Sequence, residues 1–244
     1  MQQSQSTTSH SFRNIHSLAA ALGITSLLWL VFGWEQITDS SFYTWGIYPR
    51  DLQGLRGVIF SLFIHGDLKH LLSNTLPMAA LTFFTFYFYP RIGCRSFLFV
   101  WLVGGLWTWM LGRPSYHIGA SGVIYGLAVF LIFSGWFSKN YRLMAISLLV
   151  VFLYGSLFWG LFPMQEEISW EAHAAGALAG LIAAVYYRKE LPPRQKYDWE
   201  LADDDEDEPP DEMQPQHPHT IHLNYQYKKK NNSNEDENHV EYGK

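Results

Sequence analysis

HIGASGVIYG, residues 117–126, places one serine, Ser121, between two glycines at the start of a long apolar run. A hydroxyl that enters a hydrocarbon environment needs a hydrogen-bond partner, and polar groups within a membrane often mark functional sites. The alternative is ordinary helix packing, because Gly122 and Gly126 have the small-xxx-small spacing of membrane helix interfaces. The role of Ser121 therefore depends on whether other segments supply partners for its hydroxyl.

The composition combines a very apolar part with a very polar one. The chain of 244 residues is 48% hydrophobic, yet its mean hydropathy is close to zero. Residues 190–244 are rich in Asp, Glu, Pro, Gln, Asn, His and Lys, so they cannot bury enough apolar surface to offset the entropy of ordering. We therefore expect a short cytoplasmic segment at 1–15, a membrane domain at 16–189 and a disordered acidic tail at 190–244.

Apolar segments of roughly 17–25 residues, long enough to cross a bilayer as helices, recur through the first part of the chain. Six are predicted, near 16–34, 68–89, 94–111, 120–137, 142–161 and 171–188. The single cysteine, Cys94, excludes an intrachain disulfide framework. The fold class predicted is an all-α polytopic membrane protein, a bundle of six transmembrane helices followed by the tail.

Basic residues are unevenly distributed between the two sides of this predicted bundle. They flank both ends of the membrane domain and occupy the links after the second and fourth segments, at Arg13, Arg91, Arg95, Lys139, Arg142, Arg188 and Lys189. By the positive-inside rule, both termini are expected in the cytoplasm and the protein in the plasma (inner) membrane. Segments two, four and six then begin at the outer face, so their first turns share one depth.

Polar residues occupy these three first turns. On the second segment, His70 and Asn74 are four residues apart and therefore on one helix face, where both can donate to a common point. Donors aimed at a developing oxyanion contribute strongly to catalysis in a site of low dielectric. The alternative is that the two residues form hydrogen bonds between helices.

His173, on the sixth segment, precedes Gly176 and Gly180 by one and two helical turns. A face of small residues permits close approach to the glycines of the fourth segment, which would bring Ser121 within reach of His173. A neutral imidazole can take the serine proton and return it to a leaving amine. Tyr125, one turn after Ser121, is expected to lie against the imidazole. No Asp or Glu has a spacing that would let it orient the imidazole from within a helix. We therefore expect a Ser/His dyad without a third residue. The alternative is that His173 only packs against its neighbours.

Three motifs, in this order and on matching helices, resemble those of rhomboid intramembrane serine proteases of the basic six-helix form: His65-x-x-x-x-His70-x-x-x-Asn74, Gly119-Ala120-Ser121-Gly122 and Ala172-His173-x-x-Gly176-x-x-x-Gly180. The resemblance covers about residues 15–190. It implies Ser121 as the nucleophile, His173 as the general base, and His70, Asn74 and the Ser121 N–H as oxyanion donors. It implies supporting roles for Gly119, Tyr125, Gly176, Gly180 and His65.

Two departures from the family pattern concern loop anchoring and stability. The Trp-Arg pair often present in the first outer loop is represented only by Leu55-Arg56. The glutamate often found after the second helix is absent from Phe88-Tyr89-Pro90-Arg91.

The function implied by the resemblance is a serine endopeptidase that cleaves single-span transmembrane proteins near the outer interface. We expect it to act in the lipid bilayer without a cofactor and to bind neither nucleic acid nor metal. Two other classes stay open: a catalytically silent relative that binds membrane clients, and a small transporter, although intramembrane carboxylates and repeated halves are missing. The tail histidines His217, His219 and His222 are more typical of a solvated segment than of a metal site.

The distribution of basic residues generates a prediction about topology. Fusions after residue 195 should place the reporter in the cytoplasm, and fusions within residues 35–60 should place it outside, since the Lys/Arg side is retained in the cytoplasm. Paired alkaline phosphatase and green fluorescent protein fusions at both positions measure this. Phosphatase activity of the fusion after residue 195 would overturn the topology.

Overall fold

The computed structural model describes residues 2–163 and 168–192, with side chains from residue 13 onward. Within these ranges the chain is helical, and the extended contact is an isolated bridge between Ile47 and His117. The helices are α1 (Gln2–Thr38), α2 (Gly57–Phe60), α3 (Leu68–Phe88), α4 (Gly93–Leu111), α5 (Ser121–Ser138), α6 (Tyr141–Tyr154) and α7 (Trp170–Tyr186). A 3-10 helix, Gly155–Leu161, continues α6.

The predicted membrane bundle is confirmed, with one qualification about its last helix. Five helical stretches are long and apolar enough to cross a membrane: Arg13–Thr38, Leu68–Phe88, Gly93–Leu111, Ser121–Ser138 and Tyr141–Leu161. Helix α7 is not among them; it is 17 residues long and includes Glu171, His173 and many alanines and glycines. These small residues are used for contact with α4 and α5, against which α7 packs.

The first helix is longer than the membrane segment predicted near 16–34, which lies within it. Helix α1 begins at Gln2, not at residue 16. Residues 2–15 contain neither Gly nor Pro, the two residue types that disfavour helices most strongly, so polarity alone did not end the helix. The predicted acidic tail lies outside the described residues apart from 190–192.

The long link between α1 and α3 is hydrogen-bonded to the end of α4 and to the loop that precedes α5. Ile47 and His117 exchange backbone hydrogen bonds of 3.0 and 2.8 Å, and the N–H of Gly119 donates to the carbonyl of Ser61 at 2.9 Å. The indole N–H of Trp109 donates to the carbonyl of Asp51 at 2.8 Å. The link therefore supports the segment that leads to Ser121.

Arg56, in the same link, has an aromatic partner from elsewhere in the sequence. Its guanidinium lies 4.6 Å from the centre of the Trp45 ring and donates to the carbonyl of Thr44 at 3.1 Å. The sequence has Leu55 and not Trp directly before Arg56. The tryptophan that contacts Arg56 is Trp45, eleven residues before it.

At the opposite end of the bundle, an ion pair connects the start of α4 to the residues after α7. Arg95 and Glu190 are 2.5 Å apart, and the Arg95 guanidinium lies 5.1 Å from the centre of the Tyr187 ring. Both charged side chains are about half exposed, so the ion pair stabilises the fold only weakly.

Helix α5 is the centre of the bundle and contacts α3, α4, α6 and α7. Ile124, Leu127, Phe130 and Leu131 on this helix are almost fully buried. On its α7 side the packing is backbone against backbone. A Cβ added to Gly176 would lie 1.9 Å from the carbonyl oxygen of Gly122. The same substitution at Gly180 would place a Cβ 2.0 Å from the carbonyl oxygen of Gly126.

This contact predicts the effect of a single methyl group. Gly176→Ala should lower the free energy of unfolding by about 1–3 kcal/mol, because the backbone cannot move aside without separating α5 from α7. Thermal unfolding in detergent measures the change. Gly23→Ala on α1 is the matched control, since nothing lies within 4 Å of its added Cβ, and it should not lower the melting temperature. Equal melting temperatures for the two variants would contradict the packing argument.

Candidate active site

Ser121 is the first residue of α5, directly after a turn that only glycine suits well. Gly119 has a φ of +104°, a conformation that glycine adopts without steric cost. A Cβ at this position would also lie 2.6 Å from Nε2 of His70. The turn and the lack of a side chain together allow the backbone before Ser121 to pass against α3.

The hydroxyl of Ser121 and the imidazole of His173 are hydrogen-bonded. Ser121 Oγ lies 2.8 Å from Nε2 of His173, and Nδ1 of His173 lies 2.8 Å from the carbonyl oxygen of Gly160. A carbonyl oxygen only accepts, so Nδ1 carries the hydrogen and donates it. Nε2 is then left with a lone pair that accepts the Ser121 O–H, the tautomer that a general base requires.

Tyr125 and Gly160 enclose the imidazole of His173. The Tyr125 and His173 rings are stacked, with centroids 4.1 Å apart and planes 6° apart. A Cβ at Gly160 would lie 2.0 Å from the Tyr125 hydroxyl and 3.3 Å from Nδ1 of His173. The stack fixes the plane of the imidazole, and the absent side chain of Gly160 lets the carbonyl reach it.

His70 and Asn74 lie on the other side of the turn at Gly119. Helix α3 begins there because the side chain of Asp67 accepts the N–H of His70 at 2.8 Å and caps the helix. The Cβ position of Gly119 is 2.6 Å from His70 Nε2 and 3.6 Å from Asn74 Nδ2. Asn74 is buried, and its Nδ2 has no hydrogen-bond partner among the described residues.

His65 packs behind His70. Their rings meet edge to face with centroids 5.0 Å apart. Burial, reinforced by the nearby His70, lowers the pKa of His65 to about 4. Its Nδ1 lies 3.4 Å from the carbonyl of Phe63, and its buried Nε2 has no hydrogen-bond partner among the described residues. His65 is therefore neutral at physiological pH and contacts a ring that faces the turn.

The structure thus joins His173 to Ser121 and Tyr125, and it places His70, Asn74 and His65 beside or behind Gly119. Gly176 and Gly180 lie one and two turns further along α7, where they contact α5. Sequence reasoning missed Gly160, which supplies the acceptor for Nδ1 of His173. A lone glycine at the end of the apolar segment of α6 carries no motif, so the sequence offered no signal for it. The described residues include no group of three His, Cys, Asp or Glu side chains placed to hold a metal ion, and the tail histidines lie outside those residues.

The crowding at Gly160 predicts a variant that can be rescued. Gly160→Ala should slow the reaction of Ser121 with a fluorophosphonate by about tenfold to a hundredfold, because the new methyl group displaces the Tyr125 hydroxyl or the carbonyl that orients His173. Combining it with Tyr125→Phe, which removes the obstructing oxygen, should restore most of the rate. The labelling rate of the purified protein measures both effects.

Gly155→Ala is the matched control for this variant. It lies in the same 3-10 helix, with nothing within 4 Å of the added Cβ, and should react at the unmodified rate. Failure of Tyr125→Phe to rescue Gly160→Ala would show that the Tyr125 hydroxyl is not the obstacle.

Comparison with known proteins gives a family. A Rhomboid domain model matches residues 53–190. An uncharacterized protein of Mycobacterium tuberculosis is 35% identical over 187 residues, which is 71% of this chain and 75% of the relative. An uncharacterized protein of Mycobacterium leprae is 32% identical over 71% of this chain and 72% of its own length. A putative rhomboid protein of Acanthamoeba polyphaga mimivirus is 29% identical over 51% of this chain and 71% of its own. The chain is an integral membrane protein that belongs to the rhomboid family.

Proposed function

We propose that this protein is an intramembrane serine endopeptidase with Ser121 as nucleophile and His173 as general base. The observation that carries the proposal is the pair of 2.8 Å contacts around His173, from Nε2 to Ser121 Oγ and from Nδ1 to the Gly160 carbonyl. Together they set the tautomer, the orientation and the reach of the base. Any buried histidine needs hydrogen-bond partners, so the feature that favours catalysis is the identity of the partner at Nε2, a serine hydroxyl whose proton the ring can accept.

The reaction begins with attack of Ser121 Oγ on the carbonyl carbon of a peptide bond, while Nε2 of His173 takes the hydroxyl proton. The tetrahedral intermediate carries a negative charge on the former carbonyl oxygen. When it collapses, the C–N bond breaks and His173 returns the proton to the leaving amine. Water then attacks the acyl-enzyme with His173 as base, and the peptide carboxylic acid and free Ser121 are released.

Three donors are available for the oxyanion. Asn74 Nδ2 is buried without a hydrogen-bond partner among the described residues, which is costly unless substrate supplies the acceptor. The His70 imidazole lies beside the same turn. The N–H of Ser121, as the first residue of α5, has no acceptor within its own helix and lies at the positive end of the helix dipole. Removing one such donor typically costs about a hundredfold to a thousandfold in rate.

The proposed substrates are single-span membrane proteins. His70, Ser121 and His173 all lie in the first turn of their helices, and the expected topology places these turns near the outer interface. A peptide carbonyl inside an intact helix is hydrogen-bonded and shielded, so the substrate segment must unwind locally. Gly or Pro near the cleavage position, with a small residue at the cut, would favour this unwinding.

The test uses the full-length protein in proteoliposomes with a single-span substrate that carries Pro near the outer interface. Ser121→Ala and His173→Ala should each abolish cleavage, and the double variant should be no worse, because nucleophile and base act as a unit. A fluorophosphonate should label the unmodified protein and not Ser121→Ala.

Ser73→Ala and His16→Ala are matched controls for the two residue types, since both residues are exposed on other helices. They should cleave at the unmodified rate. A substrate with Leu in place of the Pro should be cleaved more slowly. Cleavage that survives in Ser121→Ala would overturn the proposed nucleophile, and an unmodified protein that neither cleaves nor reacts would indicate a silent client-binding relative.

A further inference from the structure

A second serine–histidine hydrogen bond lies next to the first, and none of the motifs above includes it. Nδ1 of His117 and Oγ of Ser169 are in hydrogen-bond contact. His117 precedes Ser121 by four residues, and Ser169 precedes His173 by four residues. The same two chain segments are therefore joined twice, with the residue types exchanged between them. We call His117 and Ser169 the outer pair, and Ser121 and His173 the inner pair.

The direction of the outer hydrogen bond follows from its surroundings. Nε2 of His117 lies 3.2 Å from the carbonyl oxygen of Arg113, which can only accept, so Nε2 carries the hydrogen. Nδ1 then accepts the O–H of Ser169. His117 is only 3% exposed, and burial lowers its pKa, which favours the neutral imidazole that this pattern needs.

Each member of the outer pair is fixed to a member of the inner pair through the backbone. His117 is held in place by its two hydrogen bonds to Ile47, and Gly119, two residues later, is bonded to Ser61. These contacts fix the path of the chain from His117 to Ser121. On the other segment, the carbonyl of Ser169 accepts the N–H of His173 at 3.2 Å in the first turn of α7.

Arg113 strengthens the same connection. Its Nη2 donates to the carbonyl of Ile168 at 2.9 Å, and its Nε lies 3.7 Å from Glu171 Oε1. The glycine contacts between α5 and α7 begin at Gly122 and run toward the other end of the bundle. The first of them reaches Ala172, since a Cβ added to Gly122 would lie 3.1 Å from the Ala172 carbonyl oxygen. The outer pair and Arg113 hold the residues just before it, 168–171.

We propose that His117 and Ser169 are positioning residues that set the distance between Ser121 Oγ and His173 Nε2. This inference rests on the proposed function of the inner pair. Neither residue takes part in the inner hydrogen bond, so the effect acts through the placement of α7 against the loop before α5. Loss of the outer bond removes one of the contacts that hold the start of α7 and lets this turn shift within the contacts that remain. A displacement of about 1 Å at a catalytic base costs on the order of a hundredfold in rate.

The first experiment separates positioning from folding. Ser169→Ala, measured on the full-length protein in proteoliposomes, should lower kcat and the fluorophosphonate labelling rate by about tenfold to a hundredfold. KM should stay within about twofold, since substrate binding is untouched. The melting temperature should fall modestly, because the buried Nδ1 of His117 loses its hydrogen-bond partner. Ser169→Thr keeps the hydroxyl and should recover most of the rate. Ser115→Ala removes a hydroxyl from the loop that carries His117 and should react like the unmodified protein.

The second experiment tests whether the two residues act as one unit. His117→Leu should lower the rate to a similar extent as Ser169→Ala, and the double variant should be no slower than the slower single variant. His117→Asn keeps an acceptor close to the position of Nδ1 and should retain more activity than His117→Leu. If Ser169→Ala or His117→Leu fails to fold, the comparison of Ser169→Thr and His117→Asn with the unmodified protein provides the test.

Three outcomes would overturn the inference: an unmodified rate in Ser169→Ala, failure of Ser169→Thr to recover the rate, or losses that multiply in the double variant. These outcomes differ from failure of the proposed function. In that case the unmodified protein itself shows no Ser121-dependent cleavage or labelling, and the positioning role falls with it.

Discussion

The contact between the backbones of α5 and α7 determines where the reactive groups lie. At Gly126, Gly176 and Gly180 the two helices approach until a single added Cβ would overlap a carbonyl oxygen of the other helix, and at Gly122 an added Cβ would lie 3.1 Å from one. Between membrane helices there is no hydrophobic driving force comparable to that in water, so close packing must supply the attraction. Gly176 also faces Gly104 on α4: a Cβ added to Gly104 would lie 3.2 Å from the Cα of Gly176. One helix is thereby held against two neighbours, and His173, one turn from Gly176, is held with it.

The buried polar side chains near this contact differ in whether they have hydrogen-bond partners within the protein. His173 is satisfied on both ring nitrogens within the protein. Asn74 Nδ2, His65 Nε2 and Glu171 Oε2 are buried without hydrogen-bond partners among the described residues. All three belong to the segments that carry the candidate site or directly precede it. Buried polar atoms without partners are unfavourable. Others among the described residues lie away from the site, as at Thr82, Thr85 and Ser134, so such an atom supports a binding role only where, as at Asn74, it lies beside the turn before Ser121.

The sequence predicted the parts of the molecule that depend on local pattern. Apolar runs located the membrane helices, and glycine and histidine spacing placed Ser121 and His173 on facing helices. Contacts that depend on chain segments without a pattern were not predictable. Gly160 and the outer pair are such cases, because a carbonyl acceptor has no sequence signature and His117 was read only as the first residue of a serine motif. The tryptophan that contacts Arg56 is Trp45 and not an adjacent residue, because the link between α1 and α3 folds back and brings residues 45 and 56 together. Helix α7 was predicted from its apolar run at 171–188, and its glycines predicted the close approach to α5. Its contact with α4 was not predicted.

The acceptor that orients His173 belongs to the main chain, and this affects how the site tolerates mutation. No substitution at position 160 deletes a carbonyl, so the orienting group persists through every missense change there. A larger side chain harms the site only by crowding Tyr125 and the imidazole. Alanine scanning would therefore score position 160 as a steric constraint and miss its electrostatic role. The arrangement also orients the base without a carboxylate, whose charge would be costly to bury among the helices. It depends on the position of the backbone and not on the identity of a side chain.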